Sequence, residues 1–382
     1  PYGRQTIDET DIDEVVKALK GDWITQGPSI DKFERHLAEY CGCKYAVAVS
    51  SGTSALHLAC LAADLRRGDE AITTPITFVG TANSIVYTGA KPVFADIDYN
   101  TVNIDTNQIK KKIGKKTKAI LPVHFAGLPC DMEEIAGIAK KNRLIIIEDA
   151  CHAMGSEYKH GNKWVKVGSC IHSDMAVFSF HPVKSITTGE GGAVLTNRRD
   201  LYKKLLMLRH HGITKNSSQF STRNSHSKEP WYYEMQALGF NYRITDFQSA
   251  LGTSQLRKLN KFIKRRREIV SIYSNELSGN AKLIIPEEPT YVKSSCHIYY
   301  IRIKDTAKRK MIFNKLLKAG IGVQVHYIPV HLQPYYMEKF KCREGDQPHA
   351  EQYYRETITL PLFPAMTDAE VKCVIKGLKN SI

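Results

Sequence analysis

Apolar residues recur at helical spacing near the start of the chain. Ile12, Val15, Val16 and Leu19 share one stripe of a helix expected over 7–19. Trp23-Ile-Thr-Gln-Gly-Pro28 interrupts the pattern, and 30–40 resumes it as a second helix. From Tyr45 the period changes to strand, turn, helix, repeated. A buried strand is expected at 46–49, a helix capped by Ser51-Gly-Thr-Ser54 to about 63, a strand at 70–74 and a helix from 78 to 87. Apolar strands follow at 92–96, 119–123, 144–148, 175–180 and 193–196, with helical segments between them. Serine, asparagine and charge dominate 215–229, which reads as a mobile loop. The stretch 244–277 reads as one long helix or two joined ones. Beyond it, strands at 298–303 and 323–326, a helix at 308–319 and a terminal helix from Thr367 make a smaller α+β unit.

Alternation of this kind argues for an α/β fold with a mostly parallel sheet covered on both faces and right-handed crossovers. With 382 residues, two units are expected, 1–244 and 245–382.

Composition narrows the function classes. The chain is 42% apolar and 24% charged, as soluble globular proteins are, and no apolar run approaches the roughly 20 residues of a membrane span. Pro1-Tyr-Gly-Arg-Gln5 has no signal-peptide apolar segment, and the absence of Met at position 1 leaves room for residues upstream. A net charge of +15 points to anionic partners: nucleic acid, an acidic membrane face or a phosphorylated small molecule. No nucleic-acid motif accompanies it, and neither nucleic acid nor membrane is expected as a partner. The basic run 261–267, interrupted by Phe262 and Ile263, reads as a solvated helix face. Nine cysteines without a C-x-x-C pair read as thiols in a reducing cytosol, Cys41, Cys43 and Cys151 being buried, with no disulfide or metal site. A cytoplasmic protein is expected.

Candidate chemistry falls at the carboxyl ends of the expected strands, where open α/β sheets bind ligands. Ser51-Gly-Thr-Ser54 delivers small and hydroxyl residues into a helix N-terminus, which suits an anion; plain N-capping explains one of the hydroxyls. Glu148-Asp-Ala-Cys-His152 ends the most apolar strand, so Asp149 can hold a cationic ring nitrogen with His152 in reach, or Asp149 can simply cap a helix. Phe78 leaves a strand where it can stack on a planar ring, or pack in the core. Lys184 follows a buried strand beside Ser179 and His181, where loss of water lowers an ammonium's pKa and frees an amine to attack a carbonyl. An exposed loop lysine is the plainer alternative. Together, an anion cradle, an acid, an aromatic and a lysine in this order are what pyridoxal 5′-phosphate requires.

With these residues in view the chain resembles the nucleotide-sugar aminotransferases of the DegT type, in the aspartate-aminotransferase fold group, over essentially its whole length. The resemblance rests on Trp23-Ile-Thr-Gln-Gly-Pro28, Ser51-Gly-Thr-Ser-Ala-Leu56, Pro75-Ile-Thr-Phe78, Pro122-Val-His-Phe-Ala-Gly-Leu-Pro129 and Glu148-Asp-Ala-Cys-His-Ala153. Phe178-Ser-Phe-His181 with Lys184, Gly189-Glu-Gly-Gly192 and Gly239-Phe-Asn-Tyr-Arg-Ile-Thr-Asp246 complete it. It implies fold type I, a large domain with a seven-stranded, mostly parallel sheet and a smaller C-terminal domain. It implies Lys184 as Schiff-base lysine and proton shuttle, Asp149 on the pyridine nitrogen, Phe78 on the ring and His152 near the phenolic oxygen. Thr53, Ser54 and Ser179 would hold the phosphate, with Asn241 reaching it from the neighbouring subunit of a homodimer with shared sites. Some relatives carry a histidine in place of the lysine and dehydrate; the lysine here favours transamination.

Tyr2-Gly-Arg-Gln5, Asp22-Trp-Ile-Thr-Gln-Gly27, Pro230-Trp-Tyr-Tyr233 and Val325-His-Tyr-Ile-Pro329 look like the subgroup of pseudaminic acid synthesis. Its members use glutamate, releasing 2-oxoglutarate, to aminate C4 of a UDP-linked 4-keto-6-deoxy-N-acetylhexosamine. Ser51-Gly52 departs from the Ser-Ala of many of them. Thr25, His326 and Tyr327 are then candidates near the sugar, and Arg4 or Lys215 near the diphosphate. The alternatives are a C3 or dTDP-linked keto sugar, or a non-catalytic sensor, against which the intact Asp149/Lys184 pair argues.

Overall fold

A computed structural model describes residues 1–221 and 229–382. At its centre are seven strands: β1 (Tyr45–Val49), β2 (Glu70–Thr73), β3 (Lys91–Phe94), β4 (Thr117–Leu121), β5 (Ile145–Asp149), β6 (Met175–Ser179) and β7 (Gly192–Thr196). They lie in the order β1-β7-β6-β5-β4-β2-β3. The run from β6 to β3 is parallel, and β7 is antiparallel to both its neighbours. Most of these strand residues are buried, as a sheet covered on both faces requires. One core layer packs Phe33, Leu37, Phe178 and Phe180; the other packs Val47, Leu58, Val177 and Leu205.

The register brings the ends of β5, β6 and β1 together. Asp149 pairs with Val177, Ser179 with Gly192, and Gly192 with Val49. Gly192 is required there, because a Cβ would lie 2.4 Å from the Ser51 carbonyl oxygen. Gly52 is required likewise: an added Cβ would meet the Ser179 Cβ at 2.7 Å, which gives the Ser51-Gly52 sequence a steric reason.

The long helix Asp246–Leu277 is continuous, and Thr245 and Gln248 close a capping box at its start. It packs against the first two helices, Glu9–Lys20 and Pro28–Cys41. The Asp246 carboxylate, fully buried, accepts the N–H groups of Gly27 (2.7 Å) and Ser29 (3.0 Å) and so caps the second helix. Among the described residues no helix is long and apolar enough to cross a membrane.

Three expectations need correction, and one hairpin is additional to them. The first helix turns its apolar stripe outward: Ile12, Val16 and Leu19 are exposed, while Asp11 is buried against Lys258 and Gln255. The stretch 323–326 is not a strand; it makes a single bridge, Gln324 with Thr359. The third strand of the small sheet is Thr357–Leu360, which pairs with Tyr299–Ile303. A hairpin of Glu157–His160 and Lys163–Lys166, with Val292–Lys293 beside it, was not anticipated, its polar strands showing no clear alternation. Finally, the basic run is not wholly a solvated face, since Arg266 is fully buried. Of the loop expected over 215–229, Ser217–Gln219 forms a short 3₁₀ turn and 222–228 lie outside the described residues.

Replacing Asp246 with alanine removes both bonds to the second helix. The expected loss is about 1–3 kcal/mol of unfolding free energy, read as a lower urea midpoint. A midpoint unchanged from wild type would show that water caps the helix equally well.

Candidate active site

Successive residues on a strand face opposite sides of the sheet, which separates the two acids that end β5. Glu148 turns into the protein, where its carboxylate meets His124 Nε2 at 2.7 Å and accepts the Ser173 hydroxyl. Asp149 faces a cavity of about 410 Å³ at the carboxyl edge of the sheet. Its Oδ2 accepts the Thr81 hydroxyl at 2.6 Å and its Oδ1 the Cys151 N–H at 3.1 Å. Thr77 holds Thr81 in turn, at 2.7 Å.

Lys184 borders the same cavity. Loss of water lowers its ammonium from the ordinary lysine range, while Cys151 and Asp149 act in the opposite direction. His152 is buried; its Nε2 lies 3.1 Å from the Tyr327 hydroxyl and its Nδ1 has no partner among the described residues. Burial, then Lys184 and His326, hold the His152 imidazole well below its usual range, so it is neutral. Phe78 stands at the edge with 58% of its surface exposed, unlike a core phenylalanine.

The helix Gly52–Ala62 points its N-terminus at the cavity, with Ser51, Gly52 and Thr53 on the wall and Ser179 beside them. Ser54 is not on that wall. Its hydroxyl takes the Ser51 N–H at 2.9 Å and its own N–H is held by Ser51 Oγ at 3.0 Å, so it serves the capping box. The first-turn N–H groups of Gly52 and Thr53 have no intrahelical acceptor, as at any helix start, and suit an anion.

Thus the chain brings Thr53, Phe78, Asp149, His152, Ser179, Lys184, His326 and Tyr327 to one cavity. It does not bring Thr25, Asn241, Lys215 or Arg4 there. Thr25 pairs with Thr245 and Asn241 with His210, and neither lines that cavity. Lys215 borders a separate cleft with Lys203 and Lys204. Arg4 lies in a small cavity that also touches Lys184. Tyr2, Thr81 and Glu190, not among the expected site residues, also line the main wall. Thr81 carried a signal: a threonine one turn into an apolar helix, three residues after Phe78.

An anion-binding helix start, a buried carboxylate, an edge aromatic and a desolvated lysine around one cavity fit pyridoxal phosphate, and the volume suits a small-molecule site. This is the site of a pyridoxal phosphate-dependent aminotransferase. Residues 5–379 match the DegT/DnrJ/EryC1/StrS aminotransferase family, and the chain belongs to it. It is 40% identical over 378 residues to the UDP-4-amino-4,6-dideoxy-N-acetyl-beta-L-altrosamine transaminase of Campylobacter jejuni, covering 98% of this chain and 95% of that one. Its fold is similar to that of PseC from Helicobacter pylori, an aminotransferase involved in the biosynthesis of pseudoaminic acid, with 33% identity, TM-score 0.90 and coverage of 100% and 98%. It is also similar to the PLP form of the putative sugar aminotransferase Spr1654 from Streptococcus pneumoniae, with 30% identity, TM-score 0.91 and the same coverage. The protein is an aminotransferase, and its cofactor is pyridoxal phosphate.

His326 gives the site a pH signature. Burial first, and Lys184 second, push its imidazole down to about 4 from 6.5. Between those values the unfolded chain holds a proton that the folded one does not, so stability is lost as pH falls from about 6.5 to about 4. His152 and His297, both lowered, act in the same direction. His326→Gln is expected to reduce the slope of unfolding free energy against pH in that window by up to ~1.4 kcal/mol per unit. Urea midpoints across the window check it; an unaltered slope contradicts the assignment.

Proposed function

We propose that this aminotransferase moves an amino group from L-glutamate to C4 of a UDP-linked 4-keto-6-deoxy-N-acetylhexosamine. The observation that carries the reading is Lys184 and Asp149 facing one cavity whose floor is a helix N-terminus. The relatives named for this pathway support the choice of sugar, and His326 and Tyr327, from the Val325-His-Tyr-Ile-Pro329 motif, both line the cavity, the Tyr327 ring 6.4 Å from that of Phe78.

Bound pyridoxal phosphate supplies an aldehyde that takes up amines and a ring that withdraws electrons from the adjoining carbon. Asp149, fixed by Thr81 and Cys151, would hold the protonated ring nitrogen. Phe78 would pack on the ring. Thr53, Ser51 and Ser179 would hold the phosphate, while Ser54 supports the helix start that presents them. Neutral His152, oriented by Tyr327, would serve the ring's phenolic oxygen. Lys184, kept partly neutral by desolvation, takes the α-proton of glutamate in the first half-reaction and returns a proton to the sugar carbon in the second. General acid–base catalysis by one such group contributes about 10²–10⁴-fold.

The enzyme acts as a homodimer with shared sites. Trp23, Ile24, Tyr87 and Leu238 are more than half exposed and supply apolar surface for a second copy. Thr25 and Asn241, at isolated bridges to Thr245 and His210, reach the partner's cavity, with Lys215 toward the diphosphate. The large unit, 1–244, carries the cofactor, and 245–382 closes over it. Nine free cysteines suit a reducing cytoplasm.

The test is spectroscopic. The visible band of the purified protein should bleach with L-glutamate and return with one UDP-linked 4-keto sugar among a panel of UDP- and dTDP-linked sugars. Lys184→Ala should retain bound cofactor through phosphate and ring contacts while turnover falls at least ~10²–10⁴-fold. A band that recovers only with a dTDP-linked or 3-keto sugar would replace the proposed substrate. Wild-type turnover by Lys184→Ala would overturn the mechanism.

A further inference from the structure

Lys184 also walls a second, far smaller cavity of about 10 Å³, bounded by Arg4 and Thr6 of the N-terminal segment, Ser185, and Gln255 and Arg266 of the long helix. Arg266 is 1% exposed. Its Nη1 donates to the carbonyls of His297 and Leu362, both at 2.9 Å, and its Nε has no partner among the described residues. The enclosed Thr6 hydroxyl has none either. The Gln255 amide nitrogen is committed, donating to the Thr6 carbonyl at 2.9 Å and to Asp11 at 2.7 Å. Among the described residues no carboxylate borders the cavity, whereas three cationic side chains do.

A buried cation without a counter-charge is costly, and Arg266 has only carbonyl dipoles against its charge. Burial accordingly pulls its guanidinium down to about 10, opposed only by the Cys296 thiol and by no carboxylate. A water molecule in the cavity would accept a hydrogen bond from Nε but would neutralise nothing. The volume is about the least that holds one water, so one water or one monatomic ion suits it better than phosphate or a carboxylate.

We propose that this cavity binds one small monovalent anion of the chloride class, held by Arg266 Nε–H and the Thr6 hydroxyl beside Lys184. The anion joins the N-terminal segment to the long helix behind the lysine loop. The inference does not depend on which sugar is aminated, and its test uses neither substrate nor turnover.

Crystals of the purified protein grown with bromide in place of chloride should show an anomalous scattering peak between Arg266 and Thr6. In solution, exchanging sodium gluconate for sodium chloride at constant ionic strength should raise Tm saturably, by roughly 1–3 °C. Thr6→Val, which leaves the charges in place, should shift the chloride midpoint upward roughly 3- to 10-fold, the loss of one hydrogen bond. Arg266→Met should abolish the chloride effect; if that variant does not fold, Thr6→Val and the bromide peak decide. A water in the cavity without anomalous signal, or equal Tm in both salts, would overturn the proposal.

Discussion

The site depends on one electrostatic conflict: an ammonium placed where water cannot fully solvate it, near a carboxylate that faces the same space. Desolvation lowers the Lys184 pKa, and Asp149 and Cys151 restrain the fall. Neither effect exists unless the strand ends hold the two side chains around one cavity. Asp149 is fixed by the Thr81 hydroxyl and the Cys151 N–H, and Lys184 by the turn after β6, in which its N–H bonds the His181 carbonyl. The histidines nearby follow from the same burial: His152 and His326 are neutral because an enclosed region already holding a lysine disfavours further positive charge.

That placement follows from sheet register and from two glycines. Antiparallel β7 lies between β1 and β6, so the turn after β1 arrives beside Ser179. Side chains at Gly52 or Gly192 would force the helix start away from it, and the anion-binding N–H groups would leave the cavity. The acid pair at the end of β5 divides its labour by strand alternation alone. Glu148 joins the buried His124 and Ser173, while Asp149 is left for chemistry.

Much of this could be read from the chain. Asp149, Lys184, Phe78 and Ser179 stood at ends of apolar strands, and each borders the cavity. What could not be read divides by physical cause. Ser54 and Thr53 differ by one position on a helix start, and sequence does not say which hydroxyl closes the cap. Thr25 and Asn241 do not border the cavity, so contacts within one chain give them no place in it. An apolar stripe does not reveal which way it faces, and the first helix buries Asp11 instead of Ile12. Val323 to His326 alternates apolar and polar residues as a strand does yet makes a single bridge, a distinction made only by hydrogen bonds. Arg266, inside a run of basic residues, gave no sign that it alone was enclosed.

The most direct test of the account asks which side chain holds the cofactor. Hydride reduction of the protein as isolated, followed by proteolysis and peptide mapping, would fix the cofactor permanently to its attachment residue. The account predicts a single modified lysine, Lys184, with modification suppressed by prior incubation with L-glutamate. Modification at another lysine, or none at all in protein that carries the visible band, would contradict it.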